Sequence, residues 1–382
     1  MIRDAVKNFL KIVLVFLLVV LLEEFSIATG SEVVTTKFYS VRGAILLVPE
    51  NNLSNYGYFL LDTGVRFPVV DNILFTSILM DKSDLLGNKE SLKERGFRDF
   101  LNIPELSEAK VLNEDLLPLS QRLGVRVLGI VPLYFPGYEV FLDFGRGVVQ
   151  WRLFSSASQE KMKKTPFVKL NFSEETQNPQ VLVILNDSAC FMANVDLTRS
   201  ECIGLPLGLL SRKGLEFKGM KFARFYGEKE VCYFKIDSMK IGDFKLKNPV
   251  GVASVDSKDI WVGTRFWRYL GIGINYELGK IYFLGEEKEF NEKEWSGVGV
   301  LLDKIGEEGW IVGVMEDSPA LKSGVKAGDE LVLINGRKVN TLSVEEILQL
   351  LNGEKGSKVS CVFKDRISKE NKELMLVSEP LI

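Results

Sequence analysis

Two aspartates carry the residue types and spacing from which a paired-carboxylate site can be built. Asp62 ends the apolar run Tyr58-Phe59-Leu60-Leu61 and is followed by Thr63-Gly64-Val65, while Asp196 ends the segment Cys190 to Val195 and is followed by Leu197-Thr198. A carboxylate delivered by a buried strand is partly desolvated, which raises its pKa, and a second carboxylate beside it cannot ionise at the same time. Such a pair holds one proton and can act as base toward a water and as acid toward a carbonyl. The surroundings repeat as well. Asp62 lies 67 positions before Gly129 (129−62) and Asp196 lies 67 before Gly263 (263−196).

The elements needed to place these groups can be read on either side. Ala44 to Val48 is a strand, Asn51 to Tyr56 a turn, and Gly57 to Leu61 the returning strand that delivers Asp62. Val125 to Ile130 is an apolar strand around Gly129, and Tyr138 to Phe144 with Val148 to Leu153 is a hairpin turning at Gly145-Arg146-Gly147. Ser91 to Leu101 is charged and fits a short helix. The order then recurs: Val181 to Leu185, a turn at Asn186-Asp187-Ser188, Cys190 to Val195, then Ile260 to Gly263, then a hairpin from Gly271 to Phe283.

This pattern, from about Thr35 to Leu284, resembles the retropepsin and pepsin-like aspartic proteases in a bacterial two-lobe form. The resemblance implies a mainly β fold with two tandem acid-protease-like lobes, at 35–157 and 165–285. It implies a catalytic dyad of Asp62 and Asp196 that hydrolyses peptide bonds through an activated water. Thr63, Gly64, Thr198, Gly129 and Gly263 then support the active-site loops. The second loop departs from the family, because Asp196-Leu197-Thr198 has neither the Thr nor the Gly of Asp62-Thr63-Gly64. Leu197 is expected in the lobe core, with Thr198 supplying the hydroxyl. Arg66 is also unusual, since a guanidinium beside the pair favours double ionisation. The alternative reading is a catalytically impaired, protease-like protein that binds peptides.

Beyond the charged stretch Glu286 to Glu294, read as a linker, the chain resembles a PDZ domain over 295–382. Gly297-Val298-Gly299-Val300-Leu301-Leu302 fits the glycine-apolar loop whose backbone N–H groups receive a peptide carboxylate. Asp317-Ser318-Pro319-Ala320, Ser323 to Leu331 and Ile334-Asn335-Gly336 fit the bacterial form of that fold. Ser343 and Glu346 form a capping box for a helix Val344 to Leu351. The resemblance implies a groove that takes a peptide or protein C-terminus as an added strand.

Composition narrows the chemistry. With no histidine among 382 residues, Ser-His-Asp catalysis, Cys-His catalysis and His-ligated metal sites are excluded. No metal or cofactor is expected. Serine-lysine chemistry survives that exclusion, and Ser107-Glu108-Ala109-Lys110 and Ser158-Gln159-Glu160-Lys161 match its spacing, each in a charged segment that reads as surface. A net charge of −3 from 48 basic and 51 acidic residues gives no basis for nucleic-acid binding.

Arg3, Lys7 and Lys11 precede an apolar run from Ile12 to Leu22, followed by Ser26-Ile27-Ala28. Residues 1–28 thus read as a secretory signal peptide, or as an uncleaved membrane anchor, and put the remainder in a periplasmic or extracellular space. Of four cysteines, Cys190 and Cys202 flank Asp196 evenly, but the set does not make a disulfide framework, and buried free thiols are expected.

Overall fold

A computed structural model describes residues 33–49, 57–71, 101, 112–173, 178–212, 215–227, 230–285, 287, 289–292 and 294–382. The N-terminal segment, the 51–56 turn and nearly all of the expected 91–101 helix lie outside these residues.

Alternation of apolar and polar residues along Val33–Val41 buries one face of that strand, and a two-residue turn returns the chain into Ala44–Leu47, which is buried throughout. Arg42 (φ 49°) and Gly43 (φ 82°) both take the left-handed region that such a tight hairpin requires. Ala44–Leu47 pairs antiparallel with Tyr58–Asp62, whose other edge pairs parallel with Val127–Pro132, setting Asp62 opposite Pro132. Gly129 has to be glycine for the Val69–Asp71 strand to pair along the other edge of Val127–Pro132, because a Cβ there would sit 2.5 Å from the Val69 carbonyl.

The second half uses the same construction. Pro179–Leu185 and Ala189–Val195 form a hairpin, and Val195 pairs parallel with Val262. A Cβ at Gly263 would fall 2.3 Å from the Glu201 carbonyl, so here too glycine permits the strand crossing.

The sheets do not stop at the expected lobe boundaries. Ile272–Asn275 and Lys280–Phe283 form the expected hairpin, yet Ile272–Asn275 pairs with Tyr138–Asp143 of the first half. An 11-stranded sheet therefore spans both halves. A 17-stranded sheet runs from the second half into the C-terminal region, through Lys218–Arg224 pairing with Trp310–Met315. The stretch read as a linker is also built in. Glu289–Asn291 pairs parallel with Phe244–Lys247, and Glu292 is buried, taking both Nε (3.0 Å) and Nη2 (2.8 Å) of Arg265 on one carboxylate oxygen.

In the C-terminal region the capping box forms as the sequence predicts. The Ser343 N–H donates to Glu346 and the Glu346 N–H donates to Ser343 Oγ, opening the Val344–Leu351 helix. Apolar packing divides into two main clusters. One joins the first and second halves; the other joins Val41, Leu46, Leu60 and Val127 of the first half to Val300, Val312 and Ile347 of the C-terminal region. Among the described residues, no helix is long and apolar enough to cross a membrane.

Candidate functional site

The two hairpins deliver Asp62 and Asp196 into one cleft of about 510 Å³, shared with Thr63, Gly64, Thr198 and Arg199. Thr63 Oγ1 reaches across and donates to the Val195 carbonyl at 2.6 Å. Gly64 N–H donates to Asp62 Oδ1 at 2.7 Å. Burial is the main cause that lifts the Asp62 pKa above 3.8, with Asp196 adding to it; the Gly64 N–H and the Arg199 guanidinium oppose it.

Asp196 is held differently. Leu197 is fully buried in the core, as expected. Thr198, however, turns back on its own loop: its N–H (2.9 Å) and its hydroxyl (2.6 Å) both donate to Asp196 Oδ1. Arg199 Nε donates to Asp196 Oδ2 at 3.3 Å, and its guanidinium lies 5.5 Å from the Trp261 ring. Both carboxylate oxygens of Asp196 are therefore occupied by donors from residues two and three positions on. Arg66, which the sequence singled out, is exposed, and the guanidinium in the cleft belongs to Arg199. The sequence carried a signal for it, an arginine three residues after the second aspartate.

The second surface is the edge of Val300–Ile305. Val298, Val300 and Leu302 are buried, and a Cβ at Gly299 (φ 77°) would fall 2.1 Å from Ser318 Cβ. Val298 N–H donates to the Leu351 carbonyl at 2.9 Å, and a Cβ at Gly297 would lie 2.7 Å from that same oxygen, so the loop is tied to the end of the Val344–Leu351 helix. Val300–Ile305 pairs antiparallel with Trp310–Met315, with Val300 opposite Val314, Leu301 opposite Gly313 and Leu302 opposite Val312. Val312 sends its N–H to Asp329 and receives the Gly328 N–H, both on its far side. By the alternation of antiparallel pairs, Val300 and Leu302 point their own N–H and C=O groups outward, and Leu301 points inward. That outward row is what an added strand would bond to.

The comparisons with known proteins bear on this second surface. Residues 310–365 match the PDZ domain model, so the chain contains a PDZ domain. It is 34% identical over 77 residues to the carboxy-terminal processing protease CtpA of Bacillus subtilis (strain 168), a match covering 19% of this chain and 16% of that protein. It is 32% identical over 82 residues to a probable CtpA-like serine protease of Staphylococcus saprophyticus, covering 21% and 17%. The chain thus spans about a sixth of the length of these relatives. Among solved structures, a photosystem II D1 C-terminal processing protease matches at 25% identity and a TM-score of 0.22, over 24% of this chain and 25% of that one. A retropepsin-like aspartic protease from Rickettsia conorii matches at 16% identity and a TM-score of 0.24, over 31% and 91%. Both likenesses are too partial to define a shared fold.

The aspartic-type endopeptidase expected from Asp62 and Asp196 is overturned by these relatives, one named a carboxy-terminal processing protease and the other a probable CtpA-like serine protease. In the second loop Thr198 donates to one oxygen of Asp196 and Arg199 to the other. Of the two Ser-x-x-Lys pairs, Ser107 and Lys110 lie outside the described residues. Ser158 Oγ is committed to a helix cap, donating to the Ser155 carbonyl (2.8 Å) and accepting the Ser155 N–H (3.1 Å).

Proposed function

We propose that this protein binds peptides or protein C-termini, with the PDZ domain taking an extended chain end along Val300–Ile305. The supporting observation is the outward row of backbone groups at Val300 and Leu302, next to the Gly297–Val298–Gly299 loop. Main-chain bonds to such an edge supply affinity for any extended peptide, and side-chain pockets beside it supply choice. The relatives named for carboxy-terminal processing support a chain end as the ligand. Their hydrolytic step is not carried over, since the match spans about a sixth of their length.

In this reading the chain is organised as a first β-lobe (35–157), a second (165–285) and the PDZ domain (295–382), exported by an N-terminal signal or anchor at 1–28. Asp62 and Asp196 line the cleft between the two halves, and no hydrolytic role is given to them.

Display of random peptides with free C-termini on the full-length protein tests the proposal. Sequences ending in an apolar residue should be enriched and then lost on Leu348→Glu, a half-buried position of the helix facing the edge. A selection unchanged by Leu348→Glu would place binding elsewhere.

A further inference from the structure

The edge that would take a peptide already has an occupant. Arg42, at the tip of the first hairpin, donates from Nη2 to the Leu302 carbonyl (2.5 Å) and from Nη1 to the Asp303 carbonyl (3.0 Å). Its guanidinium lies 5.6 Å from the Trp310 ring. Beside it, the Leu117–Leu123 helix of the first half packs against Val300–Ile305. Leu116 and Leu123 share one buried apolar cluster with Val300, Leu302, Val344 and Ile347. Gly124, the left-handed residue ending that helix (φ 77°), is so close that a Cβ there would lie 2.3 Å from Trp310 Cζ2 and 2.8 Å from Val344 Cγ2. An added strand must lie about 4.8 Å from its partner, and a helix of about 10 Å diameter leaves no room for it.

We propose that Arg42 and the Leu117–Leu123 helix are an internal stand-in for the peptide, so that binding in trans requires the PDZ domain to part from the first half. The inference rests on the peptide-binding reading above. Two features make the occupant replaceable. The helix fills the slot with side chains, whereas a peptide strand would add backbone bonds to the outward groups of Val300 and Leu302. The Arg42 guanidinium is desolvated there, which lowers its pKa, so its three carbonyl contacts, to Leu302, Asp303 and Arg122 of its own half, form against a burial cost.

The occupancy also reaches the acidic cleft. The Gly43 carbonyl accepts from Thr264 Oγ1 (2.7 Å), and Thr264 N–H donates to the Arg199 carbonyl (2.9 Å). Arg199 in turn donates to Asp196. Withdrawal of the Arg42–Gly43 tip therefore loosens a chain of bonds that ends on a cleft carboxylate.

The test uses the full-length protein and an opened variant, Arg42→Asn with Leu119→Lys. Asparagine tolerates the left-handed turn, and a lysine in place of Leu119 removes an apolar side chain from the packed face. A peptide selected by C-terminal display on the opened variant, then labelled with fluorescein, is titrated against both proteins by anisotropy. At least tenfold tighter binding to the opened variant is expected; equal affinity would overturn the occlusion. If neither protein selects a peptide, the peptide-binding reading itself fails and this inference falls with it. Should the opened variant not fold, the peptide is selected on Arg42→Asn alone and hydrogen exchange on the wild type decides. Saturating peptide should slow exchange over 300–305 and speed it over 116–124. Protection of both segments would show binding without separation.

Discussion

Thr63 Oγ1 donates to the carbonyl of Val195 at 2.6 Å, while the hydroxyl of Thr198 stays within its own loop on Asp196. Of the two threonine hydroxyls in these loops, one therefore crosses the cleft and one does not. The Thr63 bond is a polar contact that fixes the Asp62 turn against the second hairpin. Thr63→Val leaves the Val195 carbonyl without this donor and should lower stability by about 1–2 kcal/mol. Thr63→Ser, which keeps the hydroxyl, should restore most of it. Urea unfolding of the two variants checks this, and equal losses would show that the methyl group matters instead.

Asp62 gives a pH dependence with a definite sign. Its carboxyl is raised above 3.8, chiefly by burial. Within the window between 3.8 and the raised value, the folded chain keeps a proton that the unfolded chain has released. Stability contributed by this group is therefore full below 3.8 and lost as pH rises through the folded value. Asp62→Asn cannot ionise, so its stability relative to wild type should be more favourable at about pH 7 than at about pH 3. Urea midpoints at the two pH values decide it, and a difference that grows toward acid would reverse the assignment. Arg199→Gln removes an opposing positive charge and should raise the Asp62 pKa further, read by carboxyl NMR titration.

Thiol labelling tests the packing independently. All four cysteines are free, Cys190 exposed and Cys202, Cys232 and Cys361 buried. Burial also pushes the Cys232 thiol up to about 11 and Cys361 up to about 12. A disulfide-exchange reagent at about pH 8 should titrate one thiol in the native protein, lost in Cys190→Ser, and all four in denaturant. Two slow native thiols would mean that a buried site opens.

The Glu292–Arg265 pair predicts the cost of breaking the join before the PDZ domain. Glu292→Gln leaves the guanidinium without its carboxylate, and removing one partner of a buried pair costs about 3–5 kcal/mol. Because the Arg265 side chain keeps 27% exposure, a loss of about 3 kcal/mol is expected. Differential scanning calorimetry checks it, and an unchanged unfolding profile would show that the pair is not coupled to folding.

What the sequence made legible was local or periodic. The runs into Asp62 and Asp196, the equal spacing to Gly129 and Gly263, and the Ser343/Glu346 capping box all depend on neighbours a few residues away or on one repeated unit. What it hid depends on distant partners. Arg42 reads as an ordinary turn residue, yet its guanidinium is held by carbonyls far along the chain, those of Arg122, Leu302 and Asp303. The charged stretch around Glu292 reads as solvated linker because nothing nearby announces Arg265. Leu117–Leu123 does not read as a helix, being short and lacking a side-chain cap, with its packing supplied by the C-terminal domain. Sequence order places Ile272–Asn275 in the second lobe; one of its edges pairs there with Lys280–Phe283, and only the sheet shows the other paired with the first half.

In the proposed reading, the anchoring of Glu292 just ahead of Trp295 sets how the PDZ groove weighs its ligands. A domain held at so close a fixed point meets the Leu117–Leu123 helix at an effective concentration on the order of millimolar. A free chain end at micromolar concentration is outnumbered about a thousandfold before its own affinity counts. A groove that takes chain ends as proposed would then ignore isolated ones and answer only where they accumulate.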